Sequence, residues 1–324
     1  MMTKPLFTPP WWARNPHIQT ILPVLTKVDR PQLTRQRLEL DDGDFIDLDW
    51  LGTPTQGNPI VILVHGLEGS ADSHYIRRLL TMLADKGICA VVHHHRSCSG
   101  VTNRLARSYH SGDTQDLHTT SSMIATQFPD CPISAVGYSL GGNVLTKYLG
   151  EHRDASLIET GVIVSAPLKL GACATRLKSG FSKVYQSYLI KQLQQKVHDK
   201  LSIPNLNAQM PVTQAEVAQL TTFHQFDDKV TAPLHGFTGV EDYYQRASGL
   251  PYLRHITKPT LVIHAKDDPF MNDEVIPAHD DLAPAVTYEL HTNGGHVGFI
   301  DGGSPLNPKY YLEKRILHFL FCQG

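Results

Sequence analysis

Gly137-Tyr138-Ser139-Leu140-Gly141-Gly142 follows directly on the apolar run ISAV and opens the stretch NVLTKYLGE, whose spacing is helical. A serine between glycines at a strand-to-helix turn sits in strained backbone geometry, with its hydroxyl raised above the sheet. The glycines keep neighbouring side chains out of so sharp a turn. The helix behind it aims free N–H groups and a positive dipole end at the hydroxyl. Those residue types in that order suit nucleophilic attack on a carbonyl carbon.

A serine hydroxyl is a poor nucleophile without a base, and the base needs a carboxylate to orient it. In this setting the partners follow in the order Ser, acid, His. The strand TLVIHA runs into Lys266-Asp267-Asp268-Pro269, and TYEL runs into His291-Thr292-Asn293-Gly294-Gly295-His296. Adjacent Asp267 and Asp268 point opposite ways in extended backbone, so only one faces the histidine. Pro269 holds Asp268 extended, which favours Asp268 as the acid and leaves Asp267 to cap or brace the loop. His296, flanked by glycines, is favoured as the base over His291, which lies closer to the strand. The predicted catalytic residues are therefore Ser139, Asp268 and His296.

Charge that develops on the carbonyl oxygen needs two backbone N–H donors. Leu140, next after the nucleophile, supplies one. The loop of VILVHGLEGS supplies the other, assigned to Leu67, with His65-Gly66 shaping the turn. His93-His94-His95 ends a strand with His93 and His95 on one face, but no matching carboxylate or histidine pair at ligand spacing accompanies it. No metal and no cofactor is expected. Cys98, in Arg96-Ser97-Cys98-Ser99-Gly100, reads as a packed loop cysteine at a strand end.

The elements that position these residues come from the hydrophobic rhythm. Leu33–Trp50 reads as a β-hairpin turning at Asp41-Asp42-Gly43-Asp44. Ile60–Val64, Cys89–Val92, Ile133–Gly137, Val162–Ser165, Leu261–Ala265 and Val286–Leu290 are short apolar runs suited to strands covered on both faces. Tyr75–Lys86, Thr114–Gln127, Asn143–Glu151 and Tyr310–Phe321 have helical spacing. The order predicts an α/β fold: a mostly parallel sheet with an N-terminal antiparallel hairpin and helices on both faces.

The rhythm fails between about Leu168 and Arg254. There Ser182–Lys200 and Thr213–Thr222 read as polar helices and Val240–Ser248 as a third, with no strand run. The expected organisation is an N-terminal arm (1–31), a core in two pieces (32–168 and 254–324) and a helical cap or lid (169–253).

With 324 residues, 41% hydrophobic and 19% charged, and a net charge of −2, the chain is neither disordered nor basic enough to suggest nucleic acid. No run approaches the ~20 apolar residues of a membrane span, and prolines interrupt the N-terminus where a signal core would lie. Trp11 and Trp12 would either dock on the core, the favoured reading, or contact a membrane surface peripherally. Five scattered cysteines without a C-x-x-C pair suit a reduced, cytoplasmic setting. Oligomeric state is not legible.

With these residues in place the chain resembles the α/β-hydrolase superfamily, and within it the YheT-type esterases of bacteria and their eukaryotic relatives in the ABHD group. The narrower resemblance rests on Trp12-Ala13-Arg14-Asn15-Pro16-His17-Ile18-Gln19-Thr20-Ile21, His65-Gly66-Leu67-Glu68-Gly69-Ser70 and Arg96-Ser97-Cys98-Ser99-Gly100. It rests also on GYSLGGNVLTKYLGE, FDDKVTAP with DYYQRAS, AKDDPF, and Gly294-Gly295-His296-Val297-Gly298-Phe299. It implies a Ser139–Asp268–His296 triad and hydrolysis of small-molecule carboxylic esters, acylglycerol-like or of short to medium chain. An acyltransferase using the same triad and a non-catalytic binding protein on the same fold are the rival functions. Ser97 departs from the pattern, which has glycine there.

Overall fold

Ile60 to Val64 are five apolar residues in a row, four of them β-branched. Such a run is stable as a strand only where both faces are covered. In the computed structural model, which describes residues 7–322, all five are fully buried. They form β3, the centre of an eight-stranded sheet ordered β1-β2-β4-β3-β5-β6-β7-β8. The strands are β1 Thr34–Glu39, β2 Phe45–Leu51, β3 Ile60–Val64, β4 Cys89–His93, β5 Ile133–Tyr138, β6 Thr160–Val164, β7 Thr260–Ala265 and β8 Val286–His291. β1 and β2 form the expected antiparallel hairpin, β2 meets β4 antiparallel, and all other pairs are parallel.

Alternate residues of each central strand feed two cores. Ile60, Ile62 and Val64 pack with helices α3 (Gln115–Gln127) and α4 (Leu140–His152) on one face. Val61 and Leu63 pack with α2 (His74–Asp85) and the C-terminal helix Leu312–Phe321 on the other. α1 (Pro16–Leu25) precedes the sheet, and its Asn15 cap accepts from the His17 N–H at 2.8 Å. The chain leaves β3 for β4 on one side of the sheet and returns to β5 on the other, so the loops after β3 and β5 lie side by side. A crevice beyond the strand ends at such a reversal is where α/β sheets hold ligands.

Between β6 and β7 the described chain contains only helices. α5 (Leu170–Leu177) and α6 (Ser182–Leu201) are followed by single turns at Pro204–Asn207, Gln214–Val217 and Phe223–Phe226, a π-turn at Asp227–Thr231, and the helix Val240–Ala247. This segment has its own small core around Ile190, Val197, Val217 and Phe226. It docks on the sheet portion partly through Lys200, whose buried Nζ donates to the carbonyls of Leu105, Ala106 and Arg107 at 2.8–2.9 Å.

Three expectations need correcting. The helix expected over Thr213–Thr222 is one turn, Gln214–Val217, because Thr222 caps a separate turn through the Gln225 N–H. The hairpin β9 Ile300–Ser304 with β10 Asn307–Tyr310 had no sequence signal, since glycines and Pro308 mask it. The C-terminal helix consequently starts at Leu312 rather than Tyr310. Trp11, expected on the core, is 82% exposed.

Candidate active site

Ser139 stands between β5 and α4 with φ 51° and ψ −119°, a conformation that costs a non-glycine residue energy. The glycines around it are obligatory for steric reasons. A Cβ on Gly137 would lie 2.5 Å from the Gly141 carbonyl oxygen, and one on Gly141 would collide with the carbonyls of Val64 and His65. The turn closes tightly enough to bring α4 against the end of β3.

His296 lies in the loop after β8. Its Nε2 is 2.9 Å from Ser139 Oγ, and its Nδ1 is 2.8 Å from Asp268 Oδ2. With the carboxylate accepting from Nδ1–H, Nε2 keeps its lone pair for the serine O–H. Asp268 follows β7 and is buried, and its Oδ1 accepts from the Phe270 N–H at 2.8 Å. The Phe270 ring stacks on the His296 imidazole, with centroids 3.9 Å apart and planes 2° from parallel. That face-on contact limits ring rotation.

Asp267 points the other way. Its Oδ1 accepts from the Gly295 N–H at 2.9 Å and its Oδ2 from Asn293 Nδ2 at 3.2 Å, so it braces the loop that carries His296. Burial pushes its carboxyl above the usual range, against these two hydrogen bonds. His291 is buried among Phe7, Phe299 and Tyr311, away from Ser139.

The loop after β3 has a telling pattern of amides. The Gly66 N–H donates to Tyr75 Oη and the Glu68 N–H to Tyr109 Oη, each at 2.9 Å. The Leu67 N–H between them has no partner among the described residues. The Leu140 N–H, at the first turn of α4, has none either. Leu67, Leu140, Ser139 and His296 line one cavity, and a Cβ on Gly66 would lie 3.1 Å from Ser139 Cβ. His65 anchors this loop: Nδ1 meets the Gly66 carbonyl at 2.8 Å, while Nε2 accepts from the His95 N–H at 3.2 Å. Burial holds its imidazole well below the ordinary range.

The other histidines of the strand end are also engaged. His93 Nδ1 meets Thr120 Oγ1, and His94 Nε2 meets Asp49 Oδ2, both at 2.9 Å. Among the described residues no cluster of His, Cys, Asp or Glu is arranged to hold a metal ion. Cys98 is buried, with Lys196 Nζ 2.9 Å from its sulfur, and burial pushes its thiol up to about 11. Ser97 takes φ 65°, which accounts for the glycine of the pattern. Its hydroxyl offsets the strain by donating to Asn103 Oδ1 at 2.6 Å and accepting from the Asn103 N–H at 3.0 Å.

Two clefts meet at Ser139 and His296. One, of about 150 Å³, runs beneath the helical segment and is lined largely by apolar side chains, among them Leu170, Leu177, Leu193, Val197, Phe226 and Met271. The other, of about 690 Å³, is an open groove between α1 and α6.

Sequence reasoning missed the residues that hold these groups in place. Thr20 on α1 accepts from the His296 N–H, and Gln19 exchanges hydrogen bonds with Ile300. Asn143 on α4 donates to the carbonyls of Ser111 and Ala247 and accepts from the Gly249 N–H, all at 2.7–2.8 Å. Gln19, Thr20 and Asn143 all lie inside motifs quoted for the resemblance, but nothing in their spacing says what they touch.

An α/β sheet with a serine elbow after β5, beside the central β3, and a histidine after its last strand defines the class, and residues 59–303 match the family described as alpha/beta hydrolase fold. The chain belongs to that family. It is 43% identical over 318 residues to the Escherichia coli protein named "Putative esterase YheT", covering 97% of this chain and 92% of that one. It is 27% identical to human "Phospholipase ABHD3", covering 94% and 76% respectively. Its fold matches the Pyrococcus furiosus esterase Pf2001 at a TM-score of 0.57 and 17% identity, covering 98% of both chains. The chain is accordingly an esterase- or lipase-like hydrolase.

Proposed function

We propose that the chain is a serine esterase cleaving carboxylic esters of short to medium acyl chain length, acylglycerol-like lipids among them. The observation that carries this is the relay from Asp268 through His296 to Ser139, at 2.8 and 2.9 Å. Ser139 Oγ attacks the ester carbonyl as its proton passes to His296 Nε2, and Asp268 stabilises the imidazolium. The oxyanion is held by the Leu67 and Leu140 amides, both without other partners among the described residues. Collapse breaks the bond to the alkoxy oxygen, which takes the proton from His296 and leaves as the alcohol. Water, deprotonated by His296, then attacks the acyl-enzyme; the bond to Ser139 Oγ breaks, Oγ takes the proton back from His296, and the carboxylic acid leaves. No cofactor enters any step.

The apolar cleft beneath the helical segment suits the acyl chain and the groove between α1 and α6 the alcohol part. Residues 169–253 act as the cap over the acyl chain, and residues 7–31 as an arm that braces the His296 loop. A cytoplasmic setting is proposed as well, supported by five free cysteines. Replacing Ser139→Ala and assaying a p-nitrophenyl ester tests the assignment. Loss of turnover by at least about 10³-fold is expected, and retained turnover would overturn it.

A further inference from the structure

The open groove between α1 and α6 has a rim that no described part of the chain covers. Ile21, Val24 and Leu25 from α1 and Val184 and Tyr188 from α6 line it. Their exposures run from 36% at Ile21 to 71% at Leu25. The two helices touch through His17, whose Nδ1 is 2.9 Å from Tyr185 Oη and whose ring lies 4.4 Å from that of the half-exposed Phe181. Of the eleven large hydrophobic residues exposed among the described residues, eight lie at positions 11–25 or 181–188. An apolar surface so concentrated marks a contact site rather than ordinary scatter.

Charge points to what is contacted. Residues 11–28 and 176–192 carry Arg14, Lys27, Arg176, Lys178, Lys183 and Lys191 and no acid, in a chain whose net charge is −2. None of the six is in an ion pair among the described residues. The acids that border the groove are already taken: Asp72 pairs with Arg30 and Arg77, and Glu68 with Lys196. Asp29 is the first acid beyond the segment. A second copy bound face to face would set these cations against the same cations, because a two-fold contact presents one patch to itself.

We propose that this rim docks on an anionic phospholipid surface. The exposed apolar side chains enter the headgroup layer and the lysines and arginines meet lipid phosphates. The groove would then open from the lipid layer toward Ser139, a role that rests on the esterase reading, although docking itself does not. This deepens that reading by naming the form in which a lipid ester is met.

Co-sedimentation of the full chain with vesicles tests it without turnover. Phosphatidylcholine vesicles with and without phosphatidylglycerol are compared at low and high salt. Two independent double variants, Lys183→Glu with Lys191→Glu and Val24→Ser with Leu25→Ser, are each checked for folding by thermal unfolding. Expected is binding that requires phosphatidylglycerol and is released by salt. The charge variant should bind at least about tenfold more weakly, since each cation near such a surface contributes about fivefold. Binding to neither vesicle, equal binding to both, binding undiminished in both folded variants, or a dimer that the variants abolish would overturn the proposal. An inactive protein that still binds would count against the esterase reading alone, and an active one that does not bind against the docking face alone.

Discussion

The backbone N–H of His296 donates to Thr20 Oγ1 at 3.0 Å, joining the histidine loop to a helix 276 residues earlier in the chain. Thr20 in turn donates to the Pro16 carbonyl at 2.8 Å, so its oxygen has a fixed lone-pair direction. Beside it, a Cβ on Gly298 would collide with the Gln19 carbonyl, and Val297 is held at φ 58°, a strained value for a β-branched residue. The N-terminal helix therefore clamps a loop that would otherwise relax.

Thr20→Val keeps the side-chain volume and removes the acceptor. The expected result is a fall in kcat of about 10- to 100-fold with KM changed less than about twofold, because the imidazole is misplaced while the side-chain volume that lines the groove is kept. Thr20→Ser should restore most of the rate. Steady-state kinetics on one soluble ester compare the three proteins. A full rate in the valine variant beside a loss in the serine variant would mean that Thr20 acts by packing alone.

The adjacent aspartates should separate cleanly. Asp268→Asn leaves the wrong hydrogen-bonding partner for His296 Nδ1 and should lower kcat by on the order of 10³–10⁴. Asp267→Asn still has an oxygen to accept from the Gly295 N–H, so its cost should stay below about tenfold. Burial already disfavours the Asp267 charge, so the neutral amide also removes a desolvation cost. Matching kcat values for the two variants would contradict the division of roles.

Acyl-chain preference should follow the apolar cleft beneath the helical segment. If each added methylene is buried there, kcat/KM should rise about fourfold per methylene, since each contributes about 0.8 kcal/mol, until the cleft is full. Filling the cleft with Leu193→Trp should cut the ratio of octanoyl to acetyl activity by at least about tenfold, because Leu193 lines it. A panel of p-nitrophenyl esters from acetyl to palmitoyl measures both. A flat profile in the unaltered chain would place the acyl group elsewhere.

Lys200 gives a pH-dependent stability. Burial pulls its ammonium down to about 7. The folded pKa lies below the unfolded one, so between about pH 7 and 10.5 the unfolded chain binds the extra proton. Its contribution therefore makes stability rise with pH across that window, by at most about 1.4 kcal/mol per pH unit, and level off above it. Thermal unfolding of the unaltered chain and of Lys200→Met from pH 6.5 to 10 should show this slope only in the former. Parallel curves would mean that Lys200 keeps an ordinary pKa.

The sheet was legible because its signals are local. Burial on both faces forces continuous apolar runs, and β3, β4, β5, β7 and β8 begin and end within two residues of those runs. The elbow was legible because steric crowding demands glycine at 137 and 141 whatever surrounds them. One proline favours Asp268 over Asp267 in the sequence; in the structure Asp268 lies against His296 Nδ1 and Asp267 against the Gly295 N–H. What escaped was long-range. Thr20 reaching His296, Phe270 stacking on it and Tyr75 and Tyr109 occupying the flanking amides are contacts that no periodicity encodes. The β9–β10 hairpin escaped for the opposite reason, since its local composition argues against strand.

Covalent labelling of Ser139 tests the central claim most directly. Incubation of the unaltered chain with a fluorophosphonate, followed by intact-mass measurement and peptide mapping, should give one adduct per chain on the peptide bearing Ser139. The His296→Ala variant should label far more slowly, because the base that takes the serine proton is gone. An unmodified Ser139, an adduct on another residue, or equal labelling rates with and without His296 would contradict a serine activated by that histidine.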